Sequence, residues 1–300
     1  MPNSIELIKK YAAENLDKIF VMESVTGILE NRSGIELKPV ENDAKTVLIP
    51  DIVMDGLGDY SMADGFPSGD VTVKFLPYAC EKDRGKGFQI DAVQDAESAG
   101  ITSGNLMSEF ERTQVIPEVD AYRLSKLFAN ADAGSIVSEA IAENTIIKRF
   151  NAMIKYYQDN EIPLERVVAF ISTDIDMAIK NSTELTKRVL QSDYKVGDIT
   201  FKVRSYEGIP LVPVPPKRFK TAYDFGTKGF TPAAGALDIS VMAVHTNAAL
   251  PYKKHEKVRV FAPETNQKAD AWLFQYRLYH DIITPKNKQK GIYVITKPAG

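Results

Sequence analysis

Cysteine and histidine are scarce in this chain of 300 residues, which has one cysteine and three histidines. The single cysteine, Cys80, excludes an intramolecular disulfide, so nothing in the composition indicates an oxidising compartment. His255, in the stretch HEKVR, lacks the second histidine of a zinc protease motif. Three scattered histidines and one cysteine do not make a zinc site. We therefore expect neither a metal site nor a cofactor.

Long apolar runs and an excess of positive charge are also absent. No window approaches about 18 uninterrupted apolar residues, the length of a transmembrane helix, and the N-terminus lacks the apolar run of a signal peptide. The net charge is −3, so no overall basic field points to nucleic acid. Hydrophobic residues make up 44% of the chain, which is ordinary for a globular protein. We expect a soluble globular protein that does not enter a membrane.

Catalytic motifs are missing as well. No phosphate-binding Gly-x-x-x-x-Gly-Lys-Ser/Thr and no Gly-x-Ser-x-Gly motif occurs, and the DFG at 224–226 lacks the other kinase motifs. Asp174 and Asp176, in STDIDM, resemble the Asp-x-Asp of metal-dependent transferases. The alternative is that Thr173 or Asp174 caps a short helix whose first turn favours acids. We favour the helix interpretation and do not expect an enzyme.

His280 and Asp281 are adjacent, which raises the question of a catalytic pair. They lie in WLFQYRLYHDII, which alternates between two faces over its whole length. Neighbouring side chains of a strand point to opposite faces, so the two residues cannot form a dyad with each other. We expect His280 to be a hydrogen-bonded structural histidine on an apolar face.

The N-terminal third contains features that a single compact core does not require. Residues 4–24 have apolar residues at helical spacing, and a polar linker follows. The stretches KTVLIPDIVMDG and GDVTVKFLPYACE are rich in β-branched residues and predict a long hairpin with a turn-rich tip. An isolated hairpin is only marginally stable in water. We expect this hairpin to rest on another part of the molecule or on another subunit.

Residues 98–131 predict the longest helix, with apolar residues on two sides. One side consists of Leu106, Phe110, Thr113, Pro117, Ala121, Leu124 and Phe128, and the other of Met107, Val115, Val119 and Tyr122. Pro117 removes one backbone hydrogen bond and predicts a kink. A helix that is apolar on two sides is buried on two sides, so we assign Leu106, Phe110, Pro117 and Tyr122 to an assembly interface between copies of the chain.

The middle of the chain, about 136–250, predicts a separate α/β unit with the final strands returning to the long helix. The stretch LVPVPP predicts an edge strand or an extended segment, because proline cannot donate a ladder hydrogen bond, and FGTKGFTPAAGA predicts a loop. The last 25 residues predict a closing hairpin. Together these elements indicate an α+β chain with one discontinuous domain.

Two blocks resemble tailed-bacteriophage major capsid proteins. DRGKGFQIDAVQDAESAG followed by MSEFERTQVIPEVDAYRLSKLF is similar to their hairpin end and long helix, and HEKVRVFAPETNQKADAWLFQYRLYHDIITPKNKQKGIYV to their C-terminal strands. The blocks cover about a third of the chain and occur in the family's order. The resemblance implies the Hong Kong 97-type capsid fold, and with it a structural protein that assembles into pentamers and hexamers of an icosahedral phage head.

The fold implied by the resemblance divides the chain into five parts. They are an N-terminal arm (1–45), an E-loop hairpin (46–90), a peripheral domain with the spine helix (91–135), an axial domain (136–250) and the C-terminal strands of the peripheral domain (251–300). Because few residues precede the E-loop, we expect a separate scaffolding protein, or none, together with a portal. We also expect weak, sequence-independent contact with packaged double-stranded DNA, assembly in the host cytoplasm, and residence in the virion.

One further expectation follows, and two alternatives stay open. Arg277 and Asp281 share one face of their predicted strand, which suggests an ion pair between subunits in the peripheral domain. The alternatives that the sequence leaves open are an encapsulin-like compartment shell, which has the same fold, and a metal-dependent transferase that uses Asp174 and Asp176.

Overall fold

The computed structural model describes residues 24–30, 38–40, 43–62, 65–92, 107, 109–182, 189–196 and 199–298. Nearly all of the helix predicted over residues 4–24, and the predicted interface residue Leu106, lie outside these ranges. Within them, no helix has the length and apolar character needed to cross a membrane.

The secondary structure is mixed. The α-helices bounded within the described residues are α1 (Ile116–Asn130), α2 (Ile146–Asp159) and α3 (Thr173–Asn181). The strands are β1 (Lys38–Val40), β2 (Asp43–Met54), β3 (Val71–Ala79), β4 (Lys82–Asp91), β5 (Ile136–Ser138), β6 (Val167–Ser172), β7 (Val189–Val196), β8 (Ile199–Tyr206), β9 (Ile209–Val214), β10 (Tyr223–Gly226), β11 (Gly229–Pro232), β12 (Ile239–His245), β13 (Leu250–Phe261), β14 (Ala271–Ile283) and β15 (Ile292–Thr296).

Four sheets organise these strands. The largest has the order β5-β15-β12-β6-β9-β8-β7, and a three-stranded sheet has the order β13-β14-β4. A second three-stranded sheet, β1-β2-β3, contains the long predicted hairpin, and β10 pairs with β11. The predicted α+β class is therefore confirmed.

The centre of the seven-stranded sheet is buried on both faces. All six residues of β6 are buried, and the first five, 167–171, form a continuous apolar run rather than an alternating pattern. Val167 and Ala169 pack toward α2, in a cluster with Tyr157. Val168 and Phe170 pack on the opposite face, in a cluster that includes residues of α1. Helices α2 and α3 therefore cover one face of this sheet, and α1 covers the other.

Helix α1 joins the two main sheets. Its Leu124 and Leu127 pack in the cluster of the seven-stranded sheet, whereas Val119 packs against Tyr276 and Leu278 of β14. This arrangement explains the two apolar sides that the sequence contains. Each half of the helix buries its own stripe against a different sheet.

The start of α1 is adapted to Pro117. A π-helical turn, Glu111–Val115, precedes the helix, and the Ile116 amide donates to the Glu111 carbonyl. Pro117 follows as the second residue of α1. Residues 109–130 are helical without a break, so the amide that Pro117 lacks leaves a carbonyl of the preceding turn without its donor, and the π-helical turn lies where that hydrogen bond is missing. A π-helical turn thus lies directly before Pro117, and the kink expected at this residue stays a prediction.

Strand β9 corrects the prediction of an edge strand. It lies between β6 and β8, near the centre of the large sheet. Pro210 has a registered partner only on β8, and Pro213 only on β6. Leu211 is the only residue of β9 that is paired with both β6 and β8. Each proline is therefore paired with one neighbouring strand only, and its missing amide donor is tolerated there. The predicted loop after β9 is also wrong in part, because β10 and β11 form a hairpin within it.

The end of the chain differs from the predicted hairpin. Strand β14 belongs to the three-stranded sheet, but β15 pairs with β12 and β5 in the seven-stranded sheet. A short 3-10 helix, Lys286–Gly291, makes the connection. Strand β4, placed in the E-loop by sequence, pairs with β14 over ten residues. The pattern identified these strands but not their partners, because register depends on the tertiary packing of both faces.

Candidate assembly surfaces

The hairpin of β2 and β3 has one face that is apolar over four cross-strand pairs. The pairs are Leu48–Pro77, Pro50–Phe75, Ile52–Val73 and Met54–Val71. We call these eight residues the apolar face. The reverse face carries Val47–Tyr78 and Ile49–Leu76 near the base, and Asp51–Lys74 and Val53–Thr72 further out. Alternation within each strand produces this division.

The two faces have different environments. At the base of the reverse face, Val47 and Ile49 are buried against Leu250 and Ile283. On the apolar face, Ile52 is 55% exposed, and Phe75 61%. The chain therefore covers the base of the hairpin and leaves the outer apolar face open to solvent. Exposed contiguous apolar surfaces mark sites of contact with other molecules.

A buried carboxylate on α1 holds the segment 24–30. Asp120 is completely buried and accepts hydrogen bonds from the Ser24 hydroxyl at 2.6 Å and the Thr26 hydroxyl at 2.7 Å. The amides of Val25 and Thr26 donate to the same carboxylate. Arg218 completes the site with a 3.1 Å ion pair. We call this arrangement the Asp120 clasp, and it connects three separate parts of the chain.

Arg123, about one helical turn after Asp120 on α1, extends the clasp. Its guanidinium is 1% exposed, donates to Thr26 and forms a 2.9 Å ion pair with Glu30. Neither Asp120 nor Arg123 was singled out in the sequence. Two ionisable residues among the apolar positions of a predicted buried helix were the available signal, because such groups are buried only when they are paired.

Asp281 lies inside the chain, so the expected ion pair between subunits is wrong for this residue. The carboxylate is completely buried and accepts from the Tyr122 hydroxyl at 3.0 Å and from Lys126. The Glu81 amide also donates to it, at 2.8 Å. All these partners belong to the same chain. Asp281 therefore joins α1 and β14 to the base of the hairpin.

Arg277, the other member of the expected pair, is exposed. It forms a two-pronged ion pair with Asp83 on the neighbouring strand β4. This bond holds the guanidinium on the outer face of the three-stranded sheet, where a second molecule can reach it. Arg277 is therefore still a candidate for contact with another copy.

The predicted interface residues on the helix are placed differently from one another. Tyr122 is buried, and burial together with the Asp281 carboxylate raises the pKa of its hydroxyl. Phe110 is half-buried and makes edge contacts with Phe88 and Tyr276, with ring centroids 4.8 and 6.0 Å away. Pro117 is also half-buried. Tyr122 is thus a core residue, whereas Phe110 and Pro117 retain accessible surface.

His280 and Asp281 do not form a catalytic pair. His280 is buried, and its ring stands edge-on to the Tyr122 ring, with centroids 5.4 Å apart. Burial, followed by the nearby cation of Arg123, holds the pKa of the imidazole well below its usual value. Its Nδ1 has no hydrogen-bond partner in the described part of the chain. His280 is a neutral packing residue.

Asp174 and Asp176 are held by basic residues rather than arranged around a metal. Asp174 pairs with Lys297 at 2.8 Å, and Asp176 pairs with Lys180 and Arg204. Ser172, not Thr173 or Asp174, caps α3 by accepting from the Ile175 amide. Among the described residues, no group of three acidic, histidine or cysteine side chains could hold a metal ion.

Comparisons with known proteins identify the fold. No family model and no curated protein matches the chain. Solved structures match over most of their length. The structure from Mycobacterium phage Che8 is 12% identical with a TM-score of 0.58, and the match covers 87% of this chain and 92% of that chain. The bacteriophage PhiM1 mature capsid is 11% identical with a TM-score of 0.57 (89% of this chain and 86% of that chain), and the structure from Gordonia phage Cozz is 12% identical with a TM-score of 0.59 (88% of this chain and 84% of that chain). The chain has the fold of a phage capsid protein, which confirms the fold implied by the sequence resemblance.

Proposed function

We propose that the chain is the structural subunit of an icosahedral phage head, assembled as pentamers and hexamers, and that it has no enzymatic role. The observation that carries this proposal is the exposed apolar face of the hairpin on a capsid fold. Residues such as Ile52 and Phe75 gain free energy when another molecule covers them, at about 25 cal/mol per Å² of apolar area. A neighbouring copy supplies that cover in a shell.

The capsid fold also supports the assignment of a separate role to each part of the chain. In this proposal residues 1–45 are an arm that the Asp120 clasp holds at residues 24–30, and residues 46–90 are an E-loop that contacts a neighbour. Residues 91–135 and 251–300 form the peripheral domain, and residues 136–250 form the axial domain. Strand β15, near the end of the chain, is inserted in the sheet of the axial domain. Pentamers and hexamers gather at the axial domain.

The remaining partners are those of a phage head. A scaffolding protein and a portal guide assembly, which takes place in the host cytoplasm, and the finished protein resides in the virion. The shell encloses double-stranded DNA and contacts it weakly and without sequence preference. A net charge of −3 suits this role, since a strongly basic subunit would bind phosphates tightly.

Electron microscopy tests this proposal. The chain is purified after expression alone and after expression together with its neighbouring genes, and particles are examined directly. The proposal predicts closed shells tens of nanometres wide in at least one preparation. A stable monomer at high concentration in both preparations would contradict it. Shells packed with a protein cargo would instead indicate a compartment of the encapsulin type.

A further inference from the structure

The buried end of strand β12 carries a hydrogen-bond donor that its own turn does not use. His245 ends the strand, is 7% exposed and pairs in register with Val167 of β6. Its Nδ1 accepts a 3.2 Å hydrogen bond from the amide of Asn247. An imidazole nitrogen that accepts a hydrogen bond carries no hydrogen, so the hydrogen of the neutral ring is on Nε2. The ring therefore presents an N–H group on the edge away from its own turn.

This Nε2 is one of several buried polar atoms in the same region that have no hydrogen-bond partner in the part of the chain that the structure describes. The others are the hydroxyl oxygens of Thr246 and Thr284, 1% and 5% exposed, and the side-chain oxygen of Asn247. Thr284 directly follows β14, whose last residue pairs with the first residue of β13, two positions after the 3-10 turn Thr246–Ala248. Buried polar atoms are almost always paired. A ligand of this turn would both accept and donate hydrogen bonds.

The charges that act on the His245 ring are both positive. Arg166 immediately precedes Val167, the register partner of His245, and Lys288 is half-buried in the 3-10 helix Lys286–Gly291. Burial is the main cause that holds the pKa of the imidazole below its usual value, and the cations of Arg166 and Lys288 add to it. Neither cation forms an ion pair with another described residue. A neutral donor beside two such cations favours an anionic ligand.

The 3-10 helix before β15 brings Lys288 to this turn. A Cβ at Gly291 would come within 2.9 Å of the Ala248 Cβ, so the helix approaches the turn this closely only with glycine at its end. Side chains three residues apart lie on the same side of a 3-10 helix, which places Lys288 on the side of Gly291. Residues 286–291 contain three lysines and no acidic residue. Glu165, beside the start of β6, is exposed, where solvent screens its charge.

We infer that the turn after β12 binds a phosphate that keeps an ionisable hydroxyl, which is inorganic phosphate or a phosphate monoester. The anion accepts from His245 Nε2 and the Thr246 hydroxyl, and its P–OH group donates to the Asn247 side-chain oxygen. Arg166 and Lys288 balance its charge. A water molecule would satisfy the polar atoms but leave both cations uncompensated, and a DNA backbone phosphate is a diester with no hydrogen to donate. The inference is independent of the proposed function, because every group of the site belongs to one chain.

Calorimetric titration of inorganic phosphate into the unassembled full-length chain at pH 7 tests the inference. The wild-type chain should bind one phosphate. Lys288→Gln should weaken the binding about tenfold or more, the scale of one interaction with a charged group. Lys286→Gln changes an exposed lysine on another side of the same 3-10 helix and should bind like the wild type. No saturable binding by the wild type, or equal affinity of the two variants, would overturn the inference.

Thr246→Val gives a second readout that involves no charge. The hydroxyl that it removes has no partner in the described part of the chain, so without phosphate the variant should melt at the wild-type temperature or above it. Phosphate should raise the melting temperature of the wild type and leave that of Thr246→Val nearly unchanged. An equal rise in both proteins would contradict the site. A short DNA duplex should not displace phosphate from the wild-type chain, and displacement would show that the site takes a diester and that the inference is wrong.

Discussion

The Tyr122 hydroxyl donates a 3.0 Å hydrogen bond to the buried carboxylate of Asp281, 159 residues further along the chain. The same carboxylate accepts from the Glu81 amide at the base of the hairpin and from Lys126. One acidic residue thus fixes α1, β14 and the hairpin base relative to one another. The direction in which the hairpin projects depends on this contact.

Removing that carboxylate should weaken the folded chain. Asp281→Ala leaves the Tyr122 hydroxyl and the Glu81 amide without their acceptor and Lys126 with Glu81 as its remaining ionic partner, and breaking a buried ion pair costs about 3–5 kcal/mol. Urea denaturation of the unassembled protein measures the loss. Asp83→Ala, which breaks the exposed pair with Arg277, is the control and should cost about 1 kcal/mol or less. Equal losses in the two variants would contradict this role of Asp281.

The Asp120 clasp should control access to the segment 24–30. Asp120→Ala removes the acceptor for the Ser24 and Thr26 side chains, so this segment should detach from α1 while the rest of the chain stays folded. Limited proteolysis should then cut near residue 30 sooner than in the wild type. Asp174→Ala, which loses only an exposed pair with Lys297, should leave the cleavage rate unchanged. If both variants were cleaved near residue 30 at the same rate, the Asp120 clasp would not control access to this segment.

The apolar face of the hairpin should be needed for assembly but not for folding. Replacing Ile52 and Phe75 with serine removes apolar area that is exposed in the single chain, so the melting temperature should change little. Sedimentation should nevertheless show loss of shells. Val53→Ser changes an equally exposed residue of the reverse face and should still assemble. Normal assembly of the Ile52→Ser, Phe75→Ser variant would argue against this surface.

Buried His280 should make the folded chain sensitive to acid. Its folded-state pKa lies well below 6.5, whereas in the unfolded chain the imidazole titrates at its ordinary value. Below pH 6.5 the unfolded state therefore binds a proton that the folded state does not. The free energy of unfolding consequently decreases as the pH is lowered. His280→Gln should show a shallower fall between pH 6.5 and 5. The exposed His255→Gln should keep the wild-type slope, and identical slopes in all three proteins would rule out this effect.

Pro117 offers a test of flexibility in α1. We propose that the helix bends near this residue when a rounded early shell becomes an expanded angular one. Pro117→Ala restores a backbone donor next to the π-helical turn Glu111–Val115 and should favour a regular helix there. The variant should then change the rate at which one shell form converts to the other, followed by electron microscopy. Unchanged forms and an unchanged rate would dismiss the proposal.

Sequence patterns predicted the elements that depend on local periodicity. The hairpin strands, the long helix and the alternation of β14 were all recognisable because their apolar spacing is regular. Pairing was harder to predict. Strand β15 follows β14 after a short connection but joins a different sheet, and β9 occupies a central position despite two prolines. Both outcomes depend on which neighbouring strand reaches each residue, which local spacing does not encode.

The candidate surfaces were predictable only in part. The sequence placed Asp281 on the outer side of its strand by alternation, but tertiary packing covers that side where the hairpin base and Lys126 meet it. The apolar face was missed, although Val71, Val73 and Phe75 alternate with Thr72 and Lys74 in β3. That alternation was the usable signal, because an apolar row facing no predicted element requires a partner elsewhere.

Electron cryomicroscopy of assembled particles tests the central claim most directly, because it shows what covers Ile52, Val73 and Phe75. We predict closed icosahedral shells in which the apolar face of each hairpin packs against an adjacent copy of the chain. Particles in which that face stays open to solvent, or a preparation that contains only monomers together with its scaffolding protein, would contradict the claim.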